Sequence, residues 1–288
     1  MKLAVFADIH SNYLVFKKAF EQTKDMNVDN YIFLGDHVTD GFDGGKVLDL
    51  IKSTGGHAVN GNREVSLVEH HNNKNKDWKM YRQWDSMRYG YECLSKENIE
   101  FIESLDIYKI VNINDKKVCM SHSTPYSVRG DVFSDSYEMF DKLIEDYDCD
   151  IYLFGHEHKN FVTFYKNKYF INPGAMGLPT WGLPYRYGII EINDDNINFE
   201  TMEVDYDFDE LANYYRNSEY YDIATIWCEL LLLTMQDGND HPTHFIAMII
   251  KEALEKNIDI SKNIPDALFE EVFRKYMEVN KKENVSSN

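Results

Sequence analysis

Seven residues with metal-ligand side chains stand at five places along the chain, each just after a short apolar run: Asp8 and His10, Asp36, Asn62, His122, and His156 with His158. Two carboxylates, one amide oxygen and four imidazoles are too many donors for one ion. They suit two divalent ions sharing a bridging carboxylate, the arrangement of binuclear phosphoryl-transfer sites. Gly35, Gly61 and Gly155 precede Asp36, Asn62 and His156, where a backbone must turn tightly and approach a ligand closely. Residues two apart on an extended strand share a face, so Asp8 and His10 are expected to reach one ion while Ile9 points away.

The apolar runs that must position these groups are Leu3–Ala7, Tyr31–Leu34, His57–Val59, Lys117–Met120 and Ile151–Phe154, which read as strands buried on both faces. The carboxyl ends of such strands are where open α/β sheets bind ligands. Between the first two, Asn12–Met26 carries a helical apolar stripe with Ser11 or Asn12 as candidate cap, and Val47–Ile51 reads as the next crossover helix. Four further runs, Phe161–Tyr165, Tyr169–Asn172, Tyr187–Ile192 and Ile197–Met202, lack intervening helices and are expected to form an antiparallel meander. Helices then follow at Ser218–Met235, Pro242–Lys256 and Pro265–Val279. The expected division is a catalytic body over 1–205, a helical extension over 206–280 docked on it, and a polar, frayed tail over 281–288.

Thirty basic residues against 49 acidic ones leave a net charge of −19, a surface that repels nucleic-acid backbones and anionic lipid. A phosphate substrate therefore needs a local reversal of sign, which bound metal supplies. Cys93, Cys119, Cys149 and Cys228 form no Cys-x-x-Cys pair, which points to a reducing, cytoplasmic compartment. Leu230–Leu233, the densest aliphatic run, is far shorter than the roughly 20 residues of a membrane span.

Asp8-x-His10, Gly35-Asp36, Gly61-Asn62, His122 and Gly155-His156-x-His158 together resemble the calcineurin-like metallophosphoesterases over about residues 1–202. Asn172-Pro173-Gly174 is similar to the loop these proteins place near the site. The resemblance implies an α/β fold, a two-sheet sandwich flanked by helices, here with a C-terminal helical extension. It further implies that Asp8, His10 and His158 hold one divalent ion, that Asn62, His122 and His156 hold the other, and that Asp36 bridges. Such a site hydrolyses phosphoesters by a metal-bound hydroxide. Manganese, iron, zinc or cobalt all suit the mixed donors.

One position departs from the family pattern. Where relatives commonly carry histidine after Gly-Asn, this chain has Arg63. Arginine stays protonated and cannot act as a general acid, but its planar fork can clamp phosphoryl oxygens. Leaving groups that depart without a proton, such as a phosphate or nucleotide from an anhydride, are therefore expected. His37, beside Asp36, is a second candidate catalytic group.

The extension, with Tyr220-Tyr221 and Asp240-His241-Pro242-Thr243-His244, resembles bacterial phosphodiesterases of this fold that include asymmetrical diadenosine tetraphosphate hydrolases. His241 and His244 are candidate contacts for substrate phosphates. Trp78, Tyr81 and Trp84, within an aromatic stretch over 72–94, read either as core or as a cap that stacks a nucleobase. The expected partner is a small phosphate-containing substrate, a nucleotide among the options, without generic nucleic-acid or membrane binding. The competing class is a non-catalytic scaffold, because the retromer scaffold subunit resembles this fold with an impaired site. A protein phosphatase fits less well, since Asp36-His37-Val38-Thr39-Asp40-Gly41 lacks the arginine those enzymes carry there.

Overall fold

The computed structural model describes residues 1–73, 76–193 and 196–286. The strands are β1 (Lys2–Phe6), β2 (Asn30–Phe33), β3 (His57–Ala58), β4 (Tyr108–Ile113), β5 (Lys116–Ser121), β6 (Ile151–Leu153), β7 (Phe161–Tyr165), β8 (Lys168–Asn172), β9 (Tyr185–Ile192) and β10 (Ile197–Val204). The helices are α1 (Tyr13–Asp25), α2 (Gly44–Thr54), α3 (Asn62–Asn73), α4 (Asp85–Glu92), α5 (Lys96–Glu103), α6 (Tyr137–Tyr147), α7 (Phe208–Arg216), α8 (Glu219–Asp237), α9 (His241–Glu255) and α10 (Asp266–Ser286).

The strands make two mixed five-stranded sheets, ordered β10-β9-β1-β2-β3 and β4-β5-β6-β8-β7. β1, β2 and β3 pair in parallel, as do β5, β6 and β8, so the ends of these runs all open toward one side. Alternation along β1 explains the layering. Leu3, Val5 and Ala7 face the second sheet, where they meet Val118, Met120, Ile151, Leu153 and Ile171. Ala4 and Phe6 face the helices, where Phe6 meets Phe16 of α1 in an apolar cluster that extends to Tyr220 and Cys228 of α8. Both faces are buried, as the unbroken apolar runs require.

The expected meander does not form. β9 and β10 make a hairpin that joins the first sheet beside β1, while β7 and β8 make one that joins the second. Four adjacent runs thus serve two sheets, because the loop over 173–184 crosses the site between them. The aromatic stretch is not one helix either. Two short 3₁₀ turns, Lys76–Lys79 and Arg82–Trp84, precede α4. Lys74 and Asn75, at its polar start, lie outside the described residues. Of the tail over 281–288, the backbone continues α10 to Ser286 and the last two residues lie outside the described ones. No described helix is long and apolar enough to cross a membrane.

Candidate metal centre

The seven strand-end residues converge. His10 Nε2 lies 3.2 Å from His158 Nε2, and His122 Nε2 lies 3.2 Å from His156 Nδ1 and 3.1 Å from Asn62 Oδ1. Asp8 Oδ1 stands 3.5 Å from His158 Nε2. Asp36 spans the two halves, with Oδ2 3.8 Å from His10 Nε2 and Oδ1 3.5 Å from His122 Nε2. Ligand atoms of Asp8, His10 and His158, and of Asp8, Asp36 and His122, lie within 4.8 Å of one another.

The local backbone differs from the strand geometry expected from sequence. β1 ends at Phe6, so Asp8 and His10 are not alternate residues of a strand. They share a cluster because the loop coils: Asp8, His10, Asp36, His156 and His158 have φ of 54°, 46°, 48°, 72° and 55°. Non-glycine residues held in this left-handed region are strained, and such strain collects at functional sites. It is maintained here by backbone packing. Gly177 donates to the Asp8 carbonyl at 2.8 Å, Met176 donates to the Ala7 carbonyl at 3.0 Å, and Asn12 Nδ2 donates to the Gly177 carbonyl at 2.9 Å. A Cβ on Gly177 would lie 1.6 Å from the Ile9 carbonyl oxygen, so only glycine fits.

Electrostatics and hydrogen bonds fit the cluster to divalent ions. Imidazole nitrogens in facing pairs cannot both carry protons, and a cation between them resolves the conflict. The remote nitrogens face acceptors, His122 Nδ1 bonded to the Leu34 carbonyl at 2.8 Å and His10 Nδ1 3.3 Å from the carboxylate oxygen Asp40 Oδ2, which aims Nε2 into the cluster. Burial would raise the Asp8 carboxyl, yet His158, His122 and His10 bring it well below the usual carboxylate range. Asp36 is likewise lowered, against burial, by His122, His10 and Arg63. Both stay ionised and available as donors.

Arg63 points into this region. Its Nη2 lies 2.9 Å from Asp40 Oδ2, its Nε 3.9 Å from Asp36 Oδ2, and its backbone N–H donates to Asp36 Oδ1 at 2.9 Å. The side chain keeps 35% of its surface exposed, so it is anchored yet reachable. Glu157, between two candidate ligands, is turned to Asp131, and burial plus that neighbour push its carboxyl up to about 7.

Other sequence candidates lie elsewhere. His37 is fully buried, with Nε2 3.1 Å from the Val59 carbonyl and its ring edge-on to Phe33. Glu64 grips the backbone N–H of His37 and turns the ring into the core, which removes it from the catalytic set. Trp78 is 5% exposed and stacks on His70 at 3.8 Å and on Trp84 at 5.8 Å. Trp84 Nε1 donates to Asn263 Oδ1, and Tyr81 is half-buried in the turn between the two 3₁₀ segments. Trp78 and Trp84 pack in one apolar cluster with Leu67, Met87 and Ile99, and Asn263 of the extension bonds Gln83 and Trp84. His241 is buried and bonded on both ring nitrogens, to the Tyr276 hydroxyl at 2.7 Å and to Asp237 Oδ2 at 2.9 Å, and so has no nitrogen left for a phosphate. His244 is exposed on α9, 6.4 Å from the His241 ring.

Two carboxylates were missed by residue type alone. Glu64 accepts from the backbone N–H of Asp36, His37, Val38 and Gly61 at 2.8–3.1 Å, tying two ligand loops together. A glutamate in the first turn of a helix after Gly-Asn is the signal, since such side chains reach back to free amides. Asp40 holds His10 and Arg63 and receives the Ser86 hydroxyl at 3.3 Å, and Ser86 bonds Tyr220 of α8 at 2.9 Å. A polar chain therefore runs from the helical layer to the ligands.

A buried cluster of two carboxylates, one amide and four imidazoles at the strand ends of a two-sheet sandwich is the architecture of a metallophosphoesterase. The calcineurin-like phosphoesterase superfamily domain matches residues 1–195, and the chain belongs to that family. An uncharacterized protein of Methanocaldococcus jannaschii is 27% identical over 227 residues, covering 71% of this chain and 88% of that protein. A crystal structure of a metallophosphoesterase from Sphaerobacter thermophilus superposes with a TM-score of 0.65 at 18% identity, over 83% of this chain and all of that one. One of a hypothetical protein from Pyrococcus horikoshii OT3 gives 0.61 at 17% identity, over 78% and 97%. Those two likenesses are of fold.

Proposed function

We propose that the chain is a binuclear metal-dependent hydrolase of phosphoric esters or anhydrides. Its substrate is a small phosphate-containing molecule: a nucleotide, a dinucleoside polyphosphate or another phosphodiester. The lack of any Cys-x-x-Cys pair supports a reducing, cytoplasmic setting. The observation that supports the reading best is Asp36, whose two oxygens face His10 on one side and His122 on the other. Two divalent ions of the manganese, iron, zinc or cobalt type would neutralise phosphoryl oxygens and acidify water.

The chain's own groups supply the rest. Asp8, His10 and His158 would hold one ion, Asn62, His122 and His156 the other. Arg63, fixed by Asp40, presents a permanent cation to phosphoryl oxygens and stabilises charge that develops there. It stays protonated and gives no proton up, and His37 is enclosed, so the leaving oxygen carries its own charge. That favours anhydrides and activated esters.

Metal analysis of the purified chain with a hydrolysis screen over nucleotides, dinucleoside polyphosphates and aryl diesters tests the reading. About two equivalents of metal together with turnover are expected, a combination that a non-catalytic scaffold of this fold, metal-binding or not, should not show. Across aryl diesters, log rate should fall steeply with leaving-group pKa, and Arg63→His should flatten the slope. Equal slopes, with Arg63→Ala fully active, would reduce Arg63 to a structural partner of Asp40.

A further inference from the structure

Of four tryptophans, Trp78 is buried and Trp84 and Trp227 are half-buried, whereas Trp181 is 55% exposed. It is nonetheless fixed in place. Its Nε1 donates to the carbonyl of Glu157 at 2.8 Å, the residue between His156 and His158. Phe133 meets the ring edge-on at 6.4 Å, and Lys159 Nζ lies 4.6 Å from the ring centroid. The backbone below is pinned as well. Leu183 donates to the Thr180 carbonyl at 3.1 Å, and Gly182 donates to the carbonyl of Gly238, where α8 ends, at 2.9 Å. A Cβ on Gly238 would lie 2.5 Å from Gly182 Cα, so the extension presses directly against this turn. Trp181 has φ of 62° and Gly182 of 66°, a turn whose positions glycine, asparagine or aspartate ordinarily fill.

Burial would be the favourable fate of a free indole. Here the fold spends a hydrogen bond, a strained residue and a helix terminus on holding one open beside two candidate ligands. Such a ring is a stacking platform, tolerant of base identity because every base has a π-face. Lys159 adds a cation to the same surface in a chain of charge −19, and among the described residues it makes no ion pair. An anion attached to an aromatic group fits both.

We propose that Trp181 and Lys159 form a subsite for the nucleobase of a nucleotide whose phosphoryl group occupies the ligand cluster. This rests on the phosphoesterase reading and assigns its substrate an aromatic part. The ring that receives the base is thus on the loop between β8 and β9, and not in the aromatic stretch over 72–94.

Calorimetry on the manganese-loaded full chain tests the subsite with AMP, ribose 5-phosphate and inorganic phosphate. Wild type is expected to bind AMP about 5- to 150-fold more tightly than ribose 5-phosphate, the range that base–aromatic stacking supplies. Trp181→Phe should keep most of that ratio, and Trp181→Ala should bring it to about 1. AMP, but not ribose 5-phosphate, should quench indole emission in wild type, and the quench should disappear in Trp181→Phe. The ratio is internal to each variant, so a general loss of affinity cannot mimic the result. A ratio near 1 in wild type, or one that survives in Trp181→Ala, overturns the subsite while phosphate binding leaves the phosphoesterase reading standing. Failure of wild type to bind phosphate at all overturns that reading and the subsite with it.

Discussion

At the strand ends, His10 faces His158 and His122 faces His156, each pair at 3.2 Å; in the helical layer, His70 lies flat on Trp78 and His241 sits between Tyr276 and Asp237. Burial does not separate the two groups, since His122 and His241 are both enclosed. The second ring nitrogen does. His122 and His10 direct one nitrogen to a carbonyl or carboxylate behind them and leave the other facing shared space. His241 has both nitrogens engaged, and its imidazole is a strut between α8 and α10. A histidine becomes a candidate ligand through what stands behind it.

The sharpest way to break this contrast is at the bridge. Asp36→Asn is expected to lower metal affinity by more than about 100-fold and take hydrolysis to background, because a neutral amide cannot serve two cations. Two metals retained with normal turnover would remove Asp36 from its role. Asp40→Asn should cost about 10- to 100-fold in metal affinity although Asp40 touches no ion, the usual price of losing an outer partner. A metal titration that shows no change would mean that the group behind His10 does not matter.

Proton competition sharpens the same point. Burial alone would lower the His158 pKa, but Asp8 outweighs it and holds the imidazole above its ordinary 6.5. A ligand must shed its proton to bind, so affinity is fullest above the raised pKa and falls as pH drops through it, by up to about tenfold per unit. Metal titrations at stepped pH check this, and a flat response between pH 8 and 6 would contradict it. The smallest effect belongs to the strut. His241→Phe should leave metal content unchanged and cost about 1–3 kcal/mol of stability by removing the buried bonds from His241 to Asp237 and Tyr276, read from denaturant midpoints. Loss of metal without loss of stability would show that the contrast was drawn in the wrong place.

The ligand cluster was legible in the sequence because each member follows an apolar run that can only be a buried strand, and strand ends share one side of a sheet. The reason first given for Asp8 and His10 was nevertheless incorrect: left-handed loop residues, not strand alternation, bring them together. Glu64 and Asp40 were hidden because their partners are 23 to 46 residues away in the chain or are backbone amides, which no pattern of residue types displays. The four late strand runs were placed correctly along the chain and wrongly in space, since two hairpins read the same whether they join one sheet or two. Trp78 and Trp84 drew attention by being aromatic and clustered, which is what a core selects; Trp181, alone on a glycine-rich loop, did not.

Gly177 carries a consequence for how this chain can drift in sequence. It contributes no candidate metal ligand, no charge and no side chain, yet the carbonyl of Ile9 fills the space where any other residue would begin. An alanine there would shift the peptide between Asp8 and His10, and two ligands would move without either being replaced. A descendant that kept all seven donors but lost this glycine would look intact in an alignment and would have a displaced centre.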